Sequence, residues 1–566
     1  MKLIDWDKKG DCLVIETDEG LRYCKLSFSN IGELIEACEA LKGKQVQTTT
    51  YGTYDPKKWF NGITEATEIL NIHRGSKQFP LGRVYATKTQ QKIYGPPGTG
   101  KTTRLMDEVE LAIKNGVKPS DIGFIAFTNA AAEVAKERVI ERFPSANALD
   151  FANFCTLHSL ATRVGGNSGK TLMEEEHFKS FDSHIICFEE MTSLNDVSSL
   201  VTRFKHPVLD FCSLAKSRLL SLEGLFKQDG LWLGGAIAVI LEHRFGTRDP
   251  LEIAKRYQDD FLTFKAQNGL ASFDDVIDIV VDDNFPESSI PTFELLIVDE
   301  AQDLSKHLWL FAKRLIKNAK KVFIAGDDDQ AIHSSVGASP ETFNTLQTSE
   351  KDDPLPHSFR LPKPIKNYVD RGVMKAIEAM PNREHKQWNP NEKEGVVTSS
   401  VETTRFEQDK NKETVTTTDI TPTDLLEILS SKYNGVKGTT KPIDWLLLTP
   451  TRAGSERLSR ALKTSGVPHF LRNRAVGQID SLGNQQIRVT SMHASKGDQA
   501  RNVALIFQTP GDIWLASQDP RLAYVAQTRA MEALYPRVIR PNLTSQVYSK
   551  VWGSEALDNF NHWFPR

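Results

Sequence analysis

The chain has 566 residues, of which 39% are hydrophobic and 25% charged, and its formal net charge is −3 at pH 7. This composition is typical of a globular protein with several domains and excludes a collagenous, coiled-coil or wholly disordered chain. No apolar run approaches the roughly 18 residues that a membrane-spanning helix needs. The first ten residues are charged and no apolar segment follows them, so we expect no secretory signal and a cytoplasmic location. Because the net charge is slightly negative, any nucleic-acid site should be a local groove.

Residues 1–80 are predicted to form a small, separate α+β unit. Asp11–Thr17 and Leu21–Phe28 alternate apolar and polar residues around a short acidic turn, which predicts a β-hairpin. Ile31–Leu41 has the spacing of an amphipathic helix. Segments 51–54 and 57–60 bring aromatic residues and lysines together; this pattern is compatible with base stacking, but packing inside the unit or against the next domain is favoured.

From about residue 85 the pattern changes to short apolar strands, each followed by a helical stretch, which predicts parallel sheets and an α/β fold. The predicted strands of the first such stretch are Gln91–Tyr94, Ile122–Phe127, Leu295–Val298 and Val322–Ala325. A mostly helical insertion is expected at about 160–290. A second α/β stretch from about residue 355 has predicted strands near Trp445–Leu448, Ile487–Thr490 and Val503–Phe507. Thr398–Thr423 is rich in Thr, Ser, Glu and Lys and should be exposed and poorly packed.

The strongest local signal is a phosphate-binding loop. Segment 95–102 fits the pattern G-x4-G-K-[ST], with a predicted strand before it and a helical stretch, Thr103–Lys114, after it. Backbone N–H groups of such a loop converge on a phosphate, and the helix N-terminus adds partial positive charge. Lys101 should reach the β- and γ-phosphates, and the Thr102 hydroxyl should bind Mg²⁺. The predicted nucleotide-binding residues here are Gly95, Pro96, Pro97, Gly98, Thr99, Gly100, Lys101, Thr102 and Thr103.

Acidic and amide side chains follow two further predicted strands. Asp299 and Glu300 end an apolar run; one carboxylate there can hold Mg²⁺ and its neighbour can polarise an attacking water. Gln330 follows the next strand, where an amide can contact both the γ-phosphate and that water. Together with the loop, these side chains predict hydrolysis of a nucleoside triphosphate.

Nine sequence blocks resemble those of the UvrD/Rep-like superfamily 1A DNA helicases and follow that family's order. They are FTNAAAEVAKERV (127–139), TLHSLA (156–161), SFDDVID (272–278), IVDEAQD (297–303), GDDDQAIH (326–333), HSFR (357–360), LLTPTRAGSERLSRAL (447–462), SMHASKGDQ (491–499) and YVAQTRAMEALY (524–535). The resemblance implies two RecA-like P-loop NTPase domains that sandwich ATP. It places the first domain at 81–350, with a helical 1B-type insertion at about 160–290, and the second at 351–566. Residues 1–80 would form an accessory domain without a family counterpart.

The resemblance also implies roles for individual residues. Asp299 would bind Mg²⁺ with Thr102, and Glu300 would activate the water. The implied catalytic residues are Lys101, Glu300, Gln330, Arg360 and Arg529. Arg360 and Arg529 come from the second domain, so hydrolysis would require domain closure. Phe359 matches the aromatic residue that stacks on adenine, and Gln499 matches a family Glu that contacts the ribose.

The family's contacts to single-stranded DNA fall on three of the quoted blocks. The matching residues are Phe127, Thr128, Asn129, His158, Ser159 and His493. Hydroxyls, amides and backbone N–H groups there would follow the sugar–phosphate strand, while an aromatic ring would stack on bases.

The chain departs from the family at three places. His333 and Ser335 stand where the family usually has Tyr and a base-stacking Trp. No clear counterpart exists for the glutamine that reads adenine upstream of the loop; Gln78 lies at about the right distance, so strict preference for ATP is open. Too few residues lie between Arg474 and Arg488 for the large domain 2B, which should be absent or minimal.

The expected function is an ATP-dependent 3′→5′ helicase or translocase that acts on single-stranded DNA and on junctions of single- and double-stranded DNA. Within the family that the chain resembles, the HASKG and VAQTRA motifs favour the 3′→5′ branch. The alternative is a DNA-stimulated ATPase that translocates and remodels protein–DNA complexes without efficient unwinding. The compact chain would suit a bacterial cell or a phage-infected host.

Overall fold

The computed structural model describes residues 3–9, 12–17, 20–25, 88–143, 148–166, 169–174, 176–178, 180–181, 207–228, 250–398, 400–403, 416–421, 423–425, 429, 441–472, 486–539 and 554–566. The strands are β1 (Leu3–Lys9), β2 (Cys12–Thr17), β3 (Gly20–Lys25), β4 (Thr89–Tyr94), β5 (Ile122–Ile125), β6 (Phe154–Cys155), β7 (Thr171–Leu172), β8 (Leu270–Ala271), β9 (Phe293–Val298), β10 (Ala319–Gly326), β11 (Asp353–Pro354), β12 (His357–Pro362), β13 (Asn389–Asn391), β14 (Val396–Val397), β15 (Ser400–Thr403), β16 (Thr416–Asp419), β17 (Trp445–Thr449), β18 (His469–Leu471), β19 (Ile487–Ser491), β20 (Ala500–Phe507) and β21 (Ala530–Ile539).

The α-helices within these ranges are α1 (Lys101–Lys114), α2 (Asn129–Arg142), α3 (Leu157–Gly165), α4 (Pro207–Ser217), α5 (Leu222–Gln228), α6 (Pro250–Gln267), α7 (Phe273–Val281), α8 (Lys306–Lys317), α9 (Pro340–Thr345), α10 (Lys363–Arg371), α11 (Val373–Glu378), α12 (Arg452–Thr464), α13 (Pro510–Ala516), α14 (Pro520–Gln527) and α15 (Ser554–Trp563). In the part of the chain that the structure describes, no helix has the length and apolar character needed to cross a membrane.

Two parallel sheets of six strands organise the chain. The first has the order β11-β4-β10-β9-β5-β6 and the second the order β14-β21-β20-β17-β19-β18. All neighbouring strands within each sheet run parallel. Helices cover both faces, as expected for parallel strands that are apolar along their whole length. The predicted α/β class with parallel sheets flanked by helices is therefore confirmed.

Each sheet is buried between two hydrophobic clusters. One face of the first sheet packs against α1 and α2 through residues such as Leu105 and Val139, and the other packs against α3, α7 and α8 through residues such as Leu160 and Phe311. In α1 the buried residues recur at helical spacing, which gives the helix one apolar face toward the sheet. We call residues 88–354 the first lobe and residues 355–566 the second lobe.

Residues that lie between β6 and β9 in the chain form a third hydrophobic core. Helices α4, α5 and α6 pack around a separate cluster that extends from Met173 to Leu270. Helix α7 and most of α3 fall within the expected 160–290 insertion, yet both contribute to the core of the first sheet. Strand β11 joins the first sheet beyond residue 350. The domain boundaries proposed from the sequence stay predictions.

The N-terminal hairpin is confirmed, because β2 and β3 pair antiparallel. Strand β1, which the alternation did not predict, adds a third strand on the other edge of β2. The predicted helix Ile31–Leu41 and segments 51–54 and 57–60 lie outside the described residues. Within Thr398–Thr423, β15 and β16 pair antiparallel and Ile420 is buried, so the described residues of this segment are better packed than expected.

Candidate nucleotide and nucleic-acid site

The predicted site residues of the first lobe gather at one edge of its sheet. The phosphate loop follows β4, Phe127 follows β5, Asp299 follows β9 and Asp327 follows β10. Because parallel strands end at the same edge, these segments meet where a parallel α/β sheet binds ligands. The four segments therefore converge because the strands that precede them are parallel neighbours in one sheet.

At two points the phosphate loop adopts a left-handed backbone that favours glycine. Gly98 has φ +73° and Gly100 has φ +82°, and Gly100 precedes the first turn of α1. The first N–H groups of a helix have no partner within the helix, so those of α1 point toward the loop. The positive end of the α1 dipole lies at the same place. Such an end favours an anionic ligand.

Lys101 lies against the two predicted acidic residues. Its Nζ donates to Glu300 Oε1 at 2.6 Å and also contacts Asp299 Oδ1. The carboxylates raise the pKa of Lys101 although burial lowers it. Burial raises the pKa of Glu300, but Lys101 and Lys496 together bring it well below its usual range, so Glu300 is charged at neutral pH.

Glu300 has φ +53°, in the left-handed region that non-glycine residues rarely adopt. Such backbone strain persists where surrounding contacts hold it, and it is common at functional sites. Here the contacts come from Lys101 and from Lys496 of the second lobe, whose Nζ lies 3.6 Å from Glu300 Oε2.

The HSFR segment of the second lobe lies directly on the phosphate loop. The Phe359 N–H donates to the Gly98 carbonyl at 2.8 Å, and the Ser358 hydroxyl donates to the Pro97 carbonyl at 2.7 Å. The Phe359 ring is 69% exposed and lies beside Gly100. An exposed aromatic face next to the loop could stack on a nucleotide base.

Arg360 and Arg529 approach the same place from the second lobe. Arg529 Nη2 donates to Gln330 Oε1 at 2.9 Å, and Arg360 Nε donates to Gln499 Oε1 at 3.0 Å. Burial lowers the pKa of Arg529 to about 10. Burial, followed by repulsion from Arg529, lowers the pKa of Arg360 to about 9. Two partly desolvated guanidinium groups that repel each other form an arrangement that an anion would stabilise.

Lys496 is a site residue that the sequence did not single out. Its Nζ donates to the Gln330 carbonyl at 2.8 Å and contacts the buried Asp303 carboxylate. Burial raises the pKa of Asp303 to about 6. Lys496 stands inside the quoted SMHASKGDQ block, but lysines on loops are common, so only the fold shows what it contacts.

The six predicted DNA-contact residues form a connected surface. Phe127 stacks on His333 with ring centroids 5.1 Å apart. Ser159 Oγ lies 3.5 Å from Asn129 Oδ1, and His158 packs edge-to-face on Phe273 at 5.7 Å. Thr128 caps α2 by accepting from the Ala131 N–H, and Thr128 and Asn129 are exposed.

His493 joins this surface next to His333. Burial, followed by repulsion from His333, lowers the pKa of His493 to about 4. His493 is therefore neutral at physiological pH and adds no positive charge to this surface. Gln78 and the chain between Arg474 and Gly483 lie outside the described residues, as does the side chain of Ser335.

Together these contacts define a P-loop protein in which a second sheet-containing lobe reaches over the phosphate loop. Residues 80–351 match the UvrD/REP helicase N-terminal domain family. The match extends through the first lobe to residue 351 and ends before strand β11, so this part of the chain is similar to that domain and the protein is UvrD/Rep-like.

Several bacterial DNA helicases are similar in sequence. A probable DNA helicase II homolog of Mycoplasma pneumoniae is 23% identical over 334 residues, 56% of this chain and 43% of that protein. The ATP-dependent DNA helicase PcrA of Leuconostoc citreum is 25% identical over 346 residues, 59% of this chain and 43% of PcrA. The ATP-dependent DNA helicase Rep of Buchnera aphidicola is 26% identical over 263 residues, 45% of this chain and 36% of Rep. The chain thus spans less than half the length of these relatives.

Proposed function

We propose that this chain is an ATP-driven motor that moves 3′→5′ along single-stranded DNA and unwinds duplex DNA ahead of it. The observation that supports the proposal most directly is the hydrogen bond between Arg529 of the second lobe and Gln330 of the first, 2.9 Å long. This hydrogen bond joins the two lobes next to the phosphate loop. Binding or hydrolysis of a nucleotide at the loop would therefore alter the contact between the lobes. The similar proteins named as ATP-dependent DNA helicases support the same activity.

ATP and Mg²⁺ fit the residues present. The exposed Phe359 face, the N-terminus of α1 and the two guanidinium groups offer contacts for a base and for phosphates. The Thr102 hydroxyl and the Asp299 carboxylate are oxygen donors, which Mg²⁺ prefers. When bound, Mg²⁺ neutralises phosphate charge and thereby favours transfer of the γ-phosphoryl group.

The chain's own residues can perform the remaining steps. Lys101 exchanges its carboxylate partners for the β- and γ-phosphates when the nucleotide enters. When Lys101 moves away from Glu300, it no longer lowers the pKa of the Glu300 carboxyl group to the same extent. Glu300 then becomes a better acceptor for the proton of the attacking water. Arg360 and Arg529 neutralise the charge that develops on the transferred group.

Closure of the lobes links hydrolysis to movement along DNA. The residues that approach the phosphate loop from the second lobe can do so only while the lobes are closed. The connected surface of Phe127, His333 and His493 spans both lobes, since His493 follows β19. Opening and closing therefore change the spacing of contacts along a bound strand.

An unwinding assay with both overhang polarities tests the proposal. We expect ATP hydrolysis to rise on addition of single-stranded DNA, and duplex with a 3′ overhang to unwind while duplex with a 5′ overhang does not. Unwinding from the 5′ overhang alone would refute the polarity. ATP hydrolysis that does not respond to DNA would refute the motor.

A translocase without efficient unwinding is the second candidate. Strands β18 and β19 are joined by residues 472–486, which is too short a connection to hold a large domain 2B, and His333 stands in the DNA surface where the family has Tyr. Displacement of streptavidin from biotinylated single-stranded DNA, with no duplex unwinding, would favour this candidate.

Residues 1–80 are proposed as an accessory domain that contacts duplex DNA or a protein partner in place of domain 2B. Strands β1–β3 form a separate antiparallel sheet, which is consistent with an independent unit. Deletion of residues 1–80 should lower duplex affinity or unwinding. Unchanged unwinding and unchanged DNA affinity would remove the support for this role.

A further inference from the structure

A buried cluster of charges lies behind the phosphate-loop site. Asp327, Asp328 and Asp329 follow β10, and the Lys386 side chain is buried among them, 1% exposed. Lys386 Nζ lies 2.6 Å from Asp327 Oδ1 and 3.0 Å from Asp329 Oδ2, and it also contacts Asp328. Arg383 completes the cluster, with Nε 2.7 Å and Nη2 3.0 Å from the two Asp329 oxygens.

The cluster joins the two lobes. Arg383 and Lys386 lie on the loop between Ile377 and Trp388, and both of these residues belong to the second-lobe core. The three carboxylates come within 4.8 Å of one another, as carboxylates around a metal ion do, but the Lys386 ammonium already supplies positive charge at their centre. The cluster therefore serves as an ion-paired contact between lobes.

Asp327 extends this cluster to the nucleotide site. Its second oxygen, Oδ2, accepts a hydrogen bond from Gln330 Nε2 at 2.6 Å. At the other end of the same amide, Gln330 Oε1 accepts from Arg529 at 2.9 Å. A carboxylate can only accept and a guanidinium can only donate, so the two partners allow one orientation of the Gln330 amide.

We propose that Asp327 is a positioning residue for ATP hydrolysis: it fixes the Gln330 side chain, and Lys386 holds Asp327 in place from the second lobe. The inference rests on the proposed function and deepens it. With one N–H bound to Asp327 and the carbonyl bound to Arg529, the second Gln330 N–H remains for a phosphate oxygen. Lys386 and Arg529 both belong to the second lobe, so the orientation is complete only when the lobes are closed.

Asp327→Asn is the most direct test, because an asparagine amide can donate as well as accept and no longer dictates how Gln330 is turned. The substitution leaves Asp328 and Asp329 opposite Lys386 and Arg383, which balances the buried charges and should preserve the fold. A misplaced catalytic group costs about 10²-fold in rate. We expect kcat for DNA-stimulated ATP hydrolysis to fall by about that factor while KM for ATP changes little.

A double-mutant cycle with Gln330→Ala separates positioning from a merely structural role. If Asp327 acts through Gln330, Asp327→Asn should reduce kcat in the wild-type chain but not further in the Gln330→Ala chain. Equal losses in both backgrounds would overturn the proposal. Unchanged kcat in the single Asp327→Asn variant would overturn it as well.

The role of Lys386 is tested by Lys386→Met, with Lys321→Met as a matched control. Lys321 is also buried and lies near the start of β10, where it pairs with Glu108 of α1 at 2.6 Å. We expect Lys386→Met to lower kcat, Lys386→Arg to restore part of it and Lys321→Met to leave it unchanged. Equal losses in Lys386→Met and Lys321→Met would refute the role of Lys386.

Outcomes that concern the proposed function are distinct from these. If the wild-type chain hydrolyses no ATP, the proposed function and the inference both fail. If it hydrolyses ATP with DNA stimulation and the cycle is additive, only the inference fails. A thermal unfolding curve shows whether Lys386→Met folds. If it does not fold, the double-mutant cycle of Asp327 and Gln330 decides the proposal alone.

Discussion

The Arg529 guanidinium donates a hydrogen bond to the Gln330 side-chain carbonyl, 2.9 Å across the boundary between the two lobes. Arg529 is 2% exposed and directly precedes β21, whereas Gln330 follows β10. The guanidinium is buried in one lobe and hydrogen-bonded to the other, so it can reach Gln330 only when the two lobes are close together. This contact is the basis of the first prediction.

Arg529→Ala should lower the turnover of ATP hydrolysis by about 10³-fold, the lower end of what a transition-state arginine contributes in other NTPases. Nucleotide affinity should fall only modestly, because the phosphate loop and Lys101 remain. Steady-state hydrolysis and equilibrium binding of ATP measure the two effects. Arg501→Ala is the control, since Arg501 forms a partly exposed pair with Glu532 on the same sheet. Equal turnover in the two variants would contradict the role of Arg529.

Lys101→Ala should abolish ATP hydrolysis. The ammonium is the charge nearest to Asp299 and Glu300, and its removal leaves two acidic groups facing the phosphates. Lys114→Ala, on the same helix, removes only a partly exposed pair with Glu110 and should leave hydrolysis intact. Retained turnover in Lys101→Ala, with a normal unfolding transition, would mean that the loop is not the nucleotide site.

The sequence predicts the first-lobe site well because its residues follow strands of one parallel sheet. Asp299 and Gln330 each come directly after an apolar run, and the pattern of the phosphate loop carries its own geometry. Once the strands are recognised as parallel, the sheet edge brings these residues together. Short strands such as β6 and β11 escape the periodicity because two residues carry no pattern.

Contacts from the second lobe are harder to predict. Lys386, Arg383 and Lys496 are basic residues on loops, a common and usually solvent-exposed class, and their burial depends on how the lobes meet. The pairing of Ser400–Thr403 with Thr416–Asp419 was missed for a different reason. Threonine favours strands, but the many polar residues around it indicate an exposed loop.

Gly98→Ala should disrupt the contact between the lobes. A Cβ at Gly98 would lie 2.2 Å from Arg360 Cβ, and φ +73° is strained for any L side chain. We expect loss of most ATP hydrolysis together with a lower midpoint of thermal unfolding, since a non-glycine residue in this region costs about 1–2 kcal/mol before any clash. Gly166→Ala is the control, because nothing lies within 4 Å of its Cβ and its backbone is helical. Wild-type hydrolysis by Gly98→Ala would show that this close approach is dispensable.

His493 should make the free energy of unfolding depend on pH. Its pKa is about 4 in the folded chain against 6.5 for the free side chain, so between those values the unfolded chain binds more protons. The free energy of unfolding therefore falls as the pH drops from 6.5 to 4, by at most about 3 kcal/mol from this group. Urea unfolding at pH 7 and pH 5 should show a smaller decrease for His493→Gln than for the wild-type chain. His385→Gln, at an exposed position, should show the wild-type decrease, and equal decreases in all three would contradict the assignment.

Phe127→Ala tests whether the Phe127–His333 pair stacks on bases. Loss of one stacking ring should weaken binding of single-stranded DNA by about 1–3 kcal/mol, whereas Phe127→Tyr keeps the ring and should keep the affinity. The dependence of affinity on salt should be the same in all three chains, because no positive charge is removed and the slope counts neutralised phosphates, about 0.7 log units each for a single strand. Fluorescence anisotropy with a labelled oligonucleotide across a salt series measures both quantities. A lower slope in Phe127→Ala would mean that the ring orders the cationic contacts to the backbone, and an unchanged affinity would place the DNA bases elsewhere.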